Sequence, residues 1–211
     1  MRSVEHLIEQ HHLAQESKTS LASKITFEQY QDDFSISEKE LGEAVLLDVG
    51  TGTGEFVHYL KKILGNDHVY GVDFNISTPS PDHPYLAHGD IQALPYADNL
   101  FDITLSRNVL HGIFLSSPTG ASTEKALSEL LRITKNGGQI LYAIKSPEAI
   151  KKAILKDIQE KETREELLMR LRTGVETEAL YLQHLQTLGN TISVVFRGSR
   201  KIVKIHKRTV Q

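Results

Sequence analysis

A glycine-rich turn between an apolar strand and an amphipathic helix is the feature that most restricts how this chain can fold. Residues 44–49 form an apolar run broken only by Asp48, glycines occupy positions 50, 52 and 54, and residues 55–64 repeat apolar side chains at helical spacing. Such a run is typical of a strand buried on both faces of a parallel sheet. Glycines leave room for a ligand against the backbone, and amides at a helix N-terminus can receive a polar group. The turn therefore predicts a βα unit that binds a small molecule.

Strands and helices alternate through the residues that follow. Short apolar runs predict strands at 68–72, 86–88, 101–106 and 139–144. Between the last two strands, Ser122 can cap a helix that ends near Gly137. The alternation predicts a parallel sheet, the core of an α/β fold.

The pattern changes after the fifth predicted strand. Inserted helices are expected over 147–173 and a further helix over 178–188, and strands over 191–196 and 201–207 flank a turn at 197–200. These two strands form a β-hairpin, so a mostly parallel sheet would end in an antiparallel pair, unlike the all-parallel dinucleotide fold. Two weakly amphipathic helices are predicted before the first strand, over 4–16 and 21–31. We expect one domain over 1–211, with an N-terminal helical cap at 1–42, a ligand-binding core at 43–145, inserted helices at 146–173, and the last helix and hairpin at 174–211.

The composition removes several classes of protein. The chain has no cysteine, which excludes disulfides, thiolate zinc sites, iron–sulfur clusters and a cysteine nucleophile. No apolar run approaches the ~18 residues of a membrane span, and the first residues lack the pattern of a signal peptide. We therefore expect a cytoplasmic protein without a membrane partner. The net charge of −3 argues mildly against RNA as a partner.

Asp73 ends the second predicted strand, 19 residues after Gly54. A carboxylate in that place can accept hydrogen bonds from two ribose hydroxyls. The dinucleotide fingerprint is Gly-x-Gly-x-x-Gly, whereas the third glycine here comes one residue early. These residues indicate a nucleoside ligand and leave its identity open.

Several motifs in the same order resemble the class I S-adenosylmethionine-dependent methyltransferases, particularly the small-molecule branch similar to the ubiquinone-biosynthesis enzymes. The resemblance runs from residue 45 to residue 144, about half of the chain. It rests on LDVGTGTG at 47–54, GVD at 71–73, GDIQALPY at 89–96, FDITLS at 101–106 and GGQ at 137–139. It implies a Rossmann-like, doubly wound, seven-stranded sheet in which the hairpin supplies the sixth and seventh strands.

The resemblance also assigns residues to S-adenosylmethionine, the expected methyl donor, which leaves as S-adenosylhomocysteine. Gly50, Thr51 and Gly52 would face the methionine part of the donor. Asp48 would orient its ammonium group directly or through water, and Ser106 would line the methyl-donor pocket.

The nucleoside part would be held by residues that follow the second and third strands. Asp73 would hold the ribose, and Phe74 would lie against the adenine ring. Asp90 would accept from the exocyclic amine, and the Ile91 amide would donate to a ring nitrogen.

Methyl transfer is an in-line displacement in which positioning and exclusion of water supply much of the rate, so a general base is optional. The candidates for a base are His111, just past the fourth strand, and Tyr142 and Lys145, near the end of the fifth. A lone histidine in such a place is also common in packing. Arg107 and Asn108 stand where metal-dependent catechol-type enzymes carry acidic ligands, so we expect no metal.

The expected function is therefore transfer of a methyl group to oxygen, nitrogen or carbon of a small molecule. Helices over 1–31 and 147–173 would form a substrate lid, and the inserted helices are also plausible surfaces for a homodimer. Two alternatives stay open: a non-catalytic S-adenosylmethionine-binding protein, and an RNA or protein methyltransferase that uses the basic hairpin. The basic residues of the hairpin are Arg197, Arg200, Lys201, Lys204, Lys207 and Arg208.

Overall fold

The computed structural model describes residues 21–76 and 83–209. The helix predicted over 4–16 lies outside these residues. The strands are β1 Leu46–Val49, β2 Val69–Asp73, β3 Leu86–His88, β4 Phe101–Arg107, β5 Thr134–Lys145, β6 Thr191–Arg197 and β7 Arg200–His206. The helices are α1 over 21–34, α2 Glu38–Glu43, α3 Glu55–Lys62, α4 Leu110–Ser116, α5 Ala121–Ile133, α6 Pro147–Asp157 and α7 Lys161–Thr187.

The strands form one seven-stranded sheet in the order β3-β2-β1-β4-β5-β7-β6. The strands from β3 to β5 in this order are parallel, and β7 runs antiparallel between β5 and β6. This arrangement confirms the predicted α/β fold with its antiparallel C-terminal hairpin. The chain winds outward in opposite directions from β1 and β4, which makes their carboxyl ends the expected place for a ligand.

A hydrophobic core lies on each face of the sheet. On one face, Phe114 of α4, Leu130 of α5 and Leu182 of α7 pack with strand residues. On the other face, Phe34 of α1 and Phe56 of α3 pack in the same way. Helices therefore cover both faces, and the strand edges at the carboxyl end remain available for a site. Within the described residues, no helix is both long and apolar enough to cross a membrane.

The helical region after β5 differs from the sequence-based expectation. Separate helices ending at 173 and starting at 178 were expected, but α7 continues through 27 residues without a break. Gly174 lies inside this helix, and the residue there is glycine because a Cβ would lie 2.8 Å from the backbone Cα of Phe114. The glycine thus allows α7 to approach α4 closely. The helices α2 and α4 were not predicted.

Gly174→Ala should destabilise the fold although alanine favours helix. Relief of the contact with Phe114 requires α4 and α7 to move apart, at a cost of about 1–3 kcal/mol against a propensity gain of about 1 kcal/mol. Gly42→Ala in α2 is the matched control, because a Cβ there meets nothing within 4 Å. Denaturant unfolding should show a loss of stability for the first variant and an unchanged or higher stability for the second. Equal effects of the two substitutions would contradict this account of Gly174.

Candidate functional site

A cavity of about 700 Å³ opens at the carboxyl ends of β1, β2 and β4. Its size is that of a site for a small molecule or cofactor. The lining residues come from α1, the three strand ends, the loop after β3 and the start of α4: Thr26, Tyr30, Val49, Gly50, Thr51, Gly52, Asp73, Phe74, Asn75, Gly89, Asp90, Ile91, Gln92, Arg107, Asn108, Val109 and Ile113.

The glycine turn after β1 is held by the end of β2. The amides of Gly50 and Thr51 donate to the carbonyl oxygen of Val72 at 2.7 and 3.2 Å, and the Gly52 amide donates to Asp73 Oδ2 at 2.9 Å. The prediction of a polar ligand concerns the amides at the N-terminus of the following helix, and the amides of residues 50–52 are already engaged within the fold. They fix the shape of the turn.

The glycines contribute mainly through the Cβ atoms that they lack. At Gly50, with φ of +80°, a Cβ would lie 2.0 Å from Val109 Cγ2, so glycine lets the segment after β4 close against the turn. At Gly52, with φ of +61°, a Cβ would meet nothing within 4 Å. Because Gly52 also lines the cavity, this open space is available to a ligand.

Two carboxylates at the β2–β3 side of the cavity are held in place by backbone amides. Asp73 accepts from Asn75 N through Oδ1 at 2.8 Å and from Gly52 N through Oδ2. Asp90 accepts from Gln92 N through Oδ1 at 2.9 Å. Each carboxylate oxygen has a second lone pair, so both groups can also accept from hydroxyl or amine donors of a ligand.

The loop that carries Asp90 and Ile91 is fixed by Arg132 of α5. Its guanidinium donates to the carbonyl oxygens of Leu94 and Tyr96 at 3.0 and 2.7 Å, and it is paired with Glu129. Glu129 in turn accepts from the Leu94 amide at 2.7 Å. These contacts from α5 hold the far side of the cavity in one conformation.

Phe74 presents an exposed aromatic ring at the cavity. Its exposed fraction is 67%, which is unusual for a phenylalanine, and its ring centroid lies 5.7 Å from that of His88. An exposed ring beside two oriented carboxylates is suited to stacking on a planar heterocycle.

Asp48 and Ser106 are buried beside the cavity and do not line it. Asp48 is fully buried, and Tyr30 donates to its Oδ1 atom at 2.9 Å. Among the described residues, neither Asp48 Oδ2 nor Ser106 Oγ has a hydrogen-bond partner. Burial raises the pKa of Asp48 to about 6. An unpartnered carboxylate oxygen fits a ligand that brings a cationic or polar donor.

The β4 side of the cavity carries a cationic group that sequence reasoning considered only as a non-ligand for metal. Arg107 lines the cavity, and its Nε donates to Asp33 Oδ2 of α1 at 2.7 Å. Arg200, the first residue of β7, places Nη1 3.3 Å from the same Asp33 oxygen and 2.9 Å from Asn108 Oδ1. The ring of Tyr30 lies under the Arg107 guanidinium, with 5.6 Å between the ring centroid and Arg107 Cζ. The partners are 74 or more residues apart, so no local pattern reveals them.

The candidate bases lie outside the cavity lining. Tyr142 is fully buried on the α7 side of β5, and its hydroxyl donates to Glu178 Oε1 at 2.6 Å; Glu178 Oε2 accepts from Lys201 at 2.7 Å. The prediction that Tyr142 is catalytic is therefore wrong. His111 does not line the cavity either, and burial lowers its pKa. Lys145 is exposed and likewise absent from the lining.

Of the predicted lid, residues 1–20 lie outside the described part of the chain, and the rest divides into a helix at the cavity and helices away from it. Thr26 and Tyr30 of α1 line the cavity, as expected for the segment 21–31. The helices α6 and α7 pack against each other and supply no lining residue, so the prediction that 147–173 covers the ligand is wrong.

Most cations of the C-terminal hairpin are engaged within the fold. Arg197 donates to the carbonyl oxygen of Asp32 and to Ser35 Oγ, and Lys201 pairs with buried Glu178. Lys207 donates to the carbonyl oxygens of two residues, Leu131 and Thr134, and to Asn99 Oδ1. Counting Arg200 with Asp33, four of the six hairpin cations therefore have partners within the described part of the fold.

Comparison with known proteins finds similar domains over the central part of the chain. Residues 47–142 match the family model described as a methyltransferase domain. Malonyl-[acyl-carrier protein] O-methyltransferase of Buchnera aphidicola is 33% identical over 130 residues, which cover 53% of this chain and 48% of that protein. Demethylmenaquinone methyltransferase of Halalkalibacterium halodurans is 32% identical over 106 residues, which cover 45% and 40%. The chain thus spans less than half the length of these two relatives.

Solved structures share the fold at low identity. The plantazolicin methyltransferase BpumL, solved in complex with S-adenosylhomocysteine, has a TM-score of 0.52 at 14% identity, over 90% of this chain and 84% of that one. A proposed S-adenosyl-L-methionine-dependent methyltransferase from Methanococcus maripaludis has a TM-score of 0.51 at 20% identity, over 95% and 92%. These two structures share the α/β fold of this chain. Over residues 47–142 the chain is therefore similar to methyltransferase domains, among them those of ubiquinone and menaquinone biosynthesis.

Asp48→Asn should make the protein more stable relative to wild type as the pH rises. The folded state raises the Asp48 pKa from 3.8 to about 6, so its protonated form contributes stability that is fully present below about pH 4 and lost as the pH rises through 6. Two pKa units correspond to roughly 3 kcal/mol as an upper limit. Urea unfolding of both proteins between pH 4 and 7 measures the difference. Tyr30→Phe removes a hydrogen bond that favours the carboxylate and so raises the folded-state pKa of Asp48 further, and its loss of stability should extend to higher pH than in wild type. Parallel curves for wild type and Asp48→Asn would contradict the assignment.

Proposed function

We propose that this chain transfers the methyl group of S-adenosylmethionine to oxygen, nitrogen or carbon of a small-molecule acceptor, without a metal. The observation that carries the proposal is one cavity that combines the open space at Gly52, the oriented carboxylates of Asp73 and Asp90, and the exposed ring of Phe74. Each of these features suits a different part of an adenosyl amino acid.

The roles follow from the chemistry of each group. Asp73 accepts from the two ribose hydroxyls, Asp90 accepts from the exocyclic amine of adenine, and Phe74 stacks on the ring. The unpartnered oxygen of Asp48 attracts the ammonium group, and that attraction grows as Asp48 ionises near pH 6. Space at Gly52 admits the chain that joins these parts.

The bound donor supplies a methyl group on a positively charged sulfur, which a nucleophile displaces in line. The protein contributes position and exclusion of water, which can supply much of the barrier reduction. Val109 and Ile113 give the β4 side of the cavity an apolar wall, and Tyr30 of α1 borders it from the opposite face of the sheet. The Tyr30 hydroxyl is already committed to Asp48, so it is not a free base.

The cavity also supports the metal-free form of the reaction. At the end of β4, where a catalytic metal would need acidic ligands, the lining side chains are the cation Arg107 and the neutral Asn108. The positive charge of the Arg107 guanidinium would repel a divalent cation bound beside it. The engagement of the hairpin cations gives no support to RNA as an acceptor.

Asp73→Asn should weaken S-adenosylhomocysteine binding by about tenfold to a hundredfold, because two charge-assisted hydrogen bonds to the ribose become neutral or mismatched. Calorimetric titration of S-adenosylmethionine, S-adenosylhomocysteine and NAD measures the affinities. Asp67→Asn is the matched control, because Asp67 is exposed and precedes the amino end of the same strand. Binding of NAD in place of the adenosyl ligands, or equal effects of the two variants, would refute the proposed cofactor site.

A further inference from the structure

Charges in the cavity are separated along the edge of the sheet. Asp73 and Asp90 lie at the β2–β3 side, and the cation Arg107 lies at the end of β4. Val49 is paired with both Val72 and Ser106, so the backbones of Asp73 and Arg107 stand at one level, two strand spacings or about 10 Å apart. A ligand that places its ribose on Asp73 therefore reaches toward Arg107 with its other end or with its reaction partner.

The Arg107 cation at the β4 side shares its directly bonded carboxylate with a second arginine. Asp33 Oδ2 is shared between Arg107 at 2.7 Å and Arg200 at 3.3 Å. Two guanidinium groups thus contact one carboxylate, and the other partner of Arg200 is the neutral Asn108. The buried carboxylate of Asp48 also interacts with the Arg107 charge, so two guanidinium groups face two carboxylates, of which only Asp33 contacts them directly.

The guanidinium of Arg107 is fixed in place and still has donors to offer. Asp33 holds its Nε, the Tyr30 ring supports its plane at 5.6 Å, and the exposed fraction of its side chain is 13%. Asp33 is the sole recorded acceptor of this guanidinium within residues 21–76 and 83–209. A planar fork anchored through Nε and open at Nη1 and Nη2 matches a carboxylate, and its fixed geometry reduces the entropy lost on binding.

We propose that Arg107, supported by Asp33 and Arg200, binds a carboxylate group of the methyl acceptor. This inference rests on the proposed methyltransferase function and narrows its substrate class to carboxylate-bearing small molecules. Arg107 is a specificity-determining residue in direct contact with the acceptor. Arg200 acts through Asp33 and Asn108 and is a positioning residue. A carboxylate is already ionised at neutral pH, so no protein group has to remove a proton from it before it binds to Arg107.

The test uses the full chain labelled with ¹⁵N-arginine, with and without saturating S-adenosylhomocysteine. The Nε–Hε resonance of Arg107 is identified by its loss in Arg107→Lys. Propionate is titrated to high millimolar concentration, and propionamide, its neutral isostere, is titrated in parallel. We expect a saturable shift of the Arg107 resonance with propionate and none with propionamide. Propionate affinity, followed on the remaining resonances, should fall by about tenfold in Arg107→Lys.

Arg172→Gln is the matched control, because Arg172 is an exposed arginine of α7 paired with Glu176 and remote from the cavity lining. It should leave propionate binding unchanged, whereas Arg200→Gln should weaken it without weakening S-adenosylhomocysteine. Equal shifts with propionate and propionamide, or no shift in wild type, would overturn the proposal and leave Arg107 as a structural tie between α1 and the sheet.

A second arm separates an acceptor carboxylate from that of the cofactor. Methylthioadenosine has the nucleoside of S-adenosylhomocysteine but lacks its amino acid part. One outcome would show that Arg107 holds the cofactor and that the acceptor proposal is wrong. In that outcome S-adenosylhomocysteine shifts the Arg107 resonance, methylthioadenosine does not shift it, and propionate has no effect on the protein loaded with S-adenosylhomocysteine. Failure of S-adenosylhomocysteine to bind would refute the proposed function separately, since the propionate titration is also performed on the free protein.

Discussion

The carbonyl oxygen of Val72 determines the geometry on which the cavity depends. It accepts from two successive amides of the glycine turn, and Asp73, the next residue, accepts from a third. The turn after β1 is thereby locked to the end of β2 before any ligand arrives. With the turn in this position, Gly50 lies directly against Val109, and this contact fixes the position of the segment after β4. A preformed site of this kind loses little conformational entropy on binding.

The parts that the sequence predicts correctly are those in which a local pattern determines the structure. Buried parallel strands need uninterrupted apolar side chains, and a strand-to-helix turn that meets another segment needs glycine, so both leave visible marks. Asp73 ends β2, and Asp90 lies in the loop two residues after the end of β3, so both positions follow from predicted strand ends. Both carboxylates line the cavity, and so do Gly50, Thr51 and Gly52 of the turn.

The parts that could not be predicted depend on contacts between distant segments. Tyr142 stands near the end of a central strand, and only the packing of α7 shows that its hydroxyl faces Glu178 and is closed off. Gly174 has the appearance of a helix end in sequence, whereas the approach of Phe114 explains why α7 continues through it. The side chain of Arg107 is held in place by Asp33, a residue that lies in a helix before the first strand.

The bond between Asp33 and Arg200 has a consequence for how the protein is made. These residues lie near opposite ends of the described chain, and Arg200 begins the strand that fills the gap between β5 and β6. Contacts of such large sequence separation form late, because the intervening chain must first be ordered. During synthesis, the contacts of Arg200 with Asp33 and Asn108 cannot form until β7 has left the ribosome. A chain that is still being translated can therefore hold the glycine turn in place while the guanidinium pair is missing.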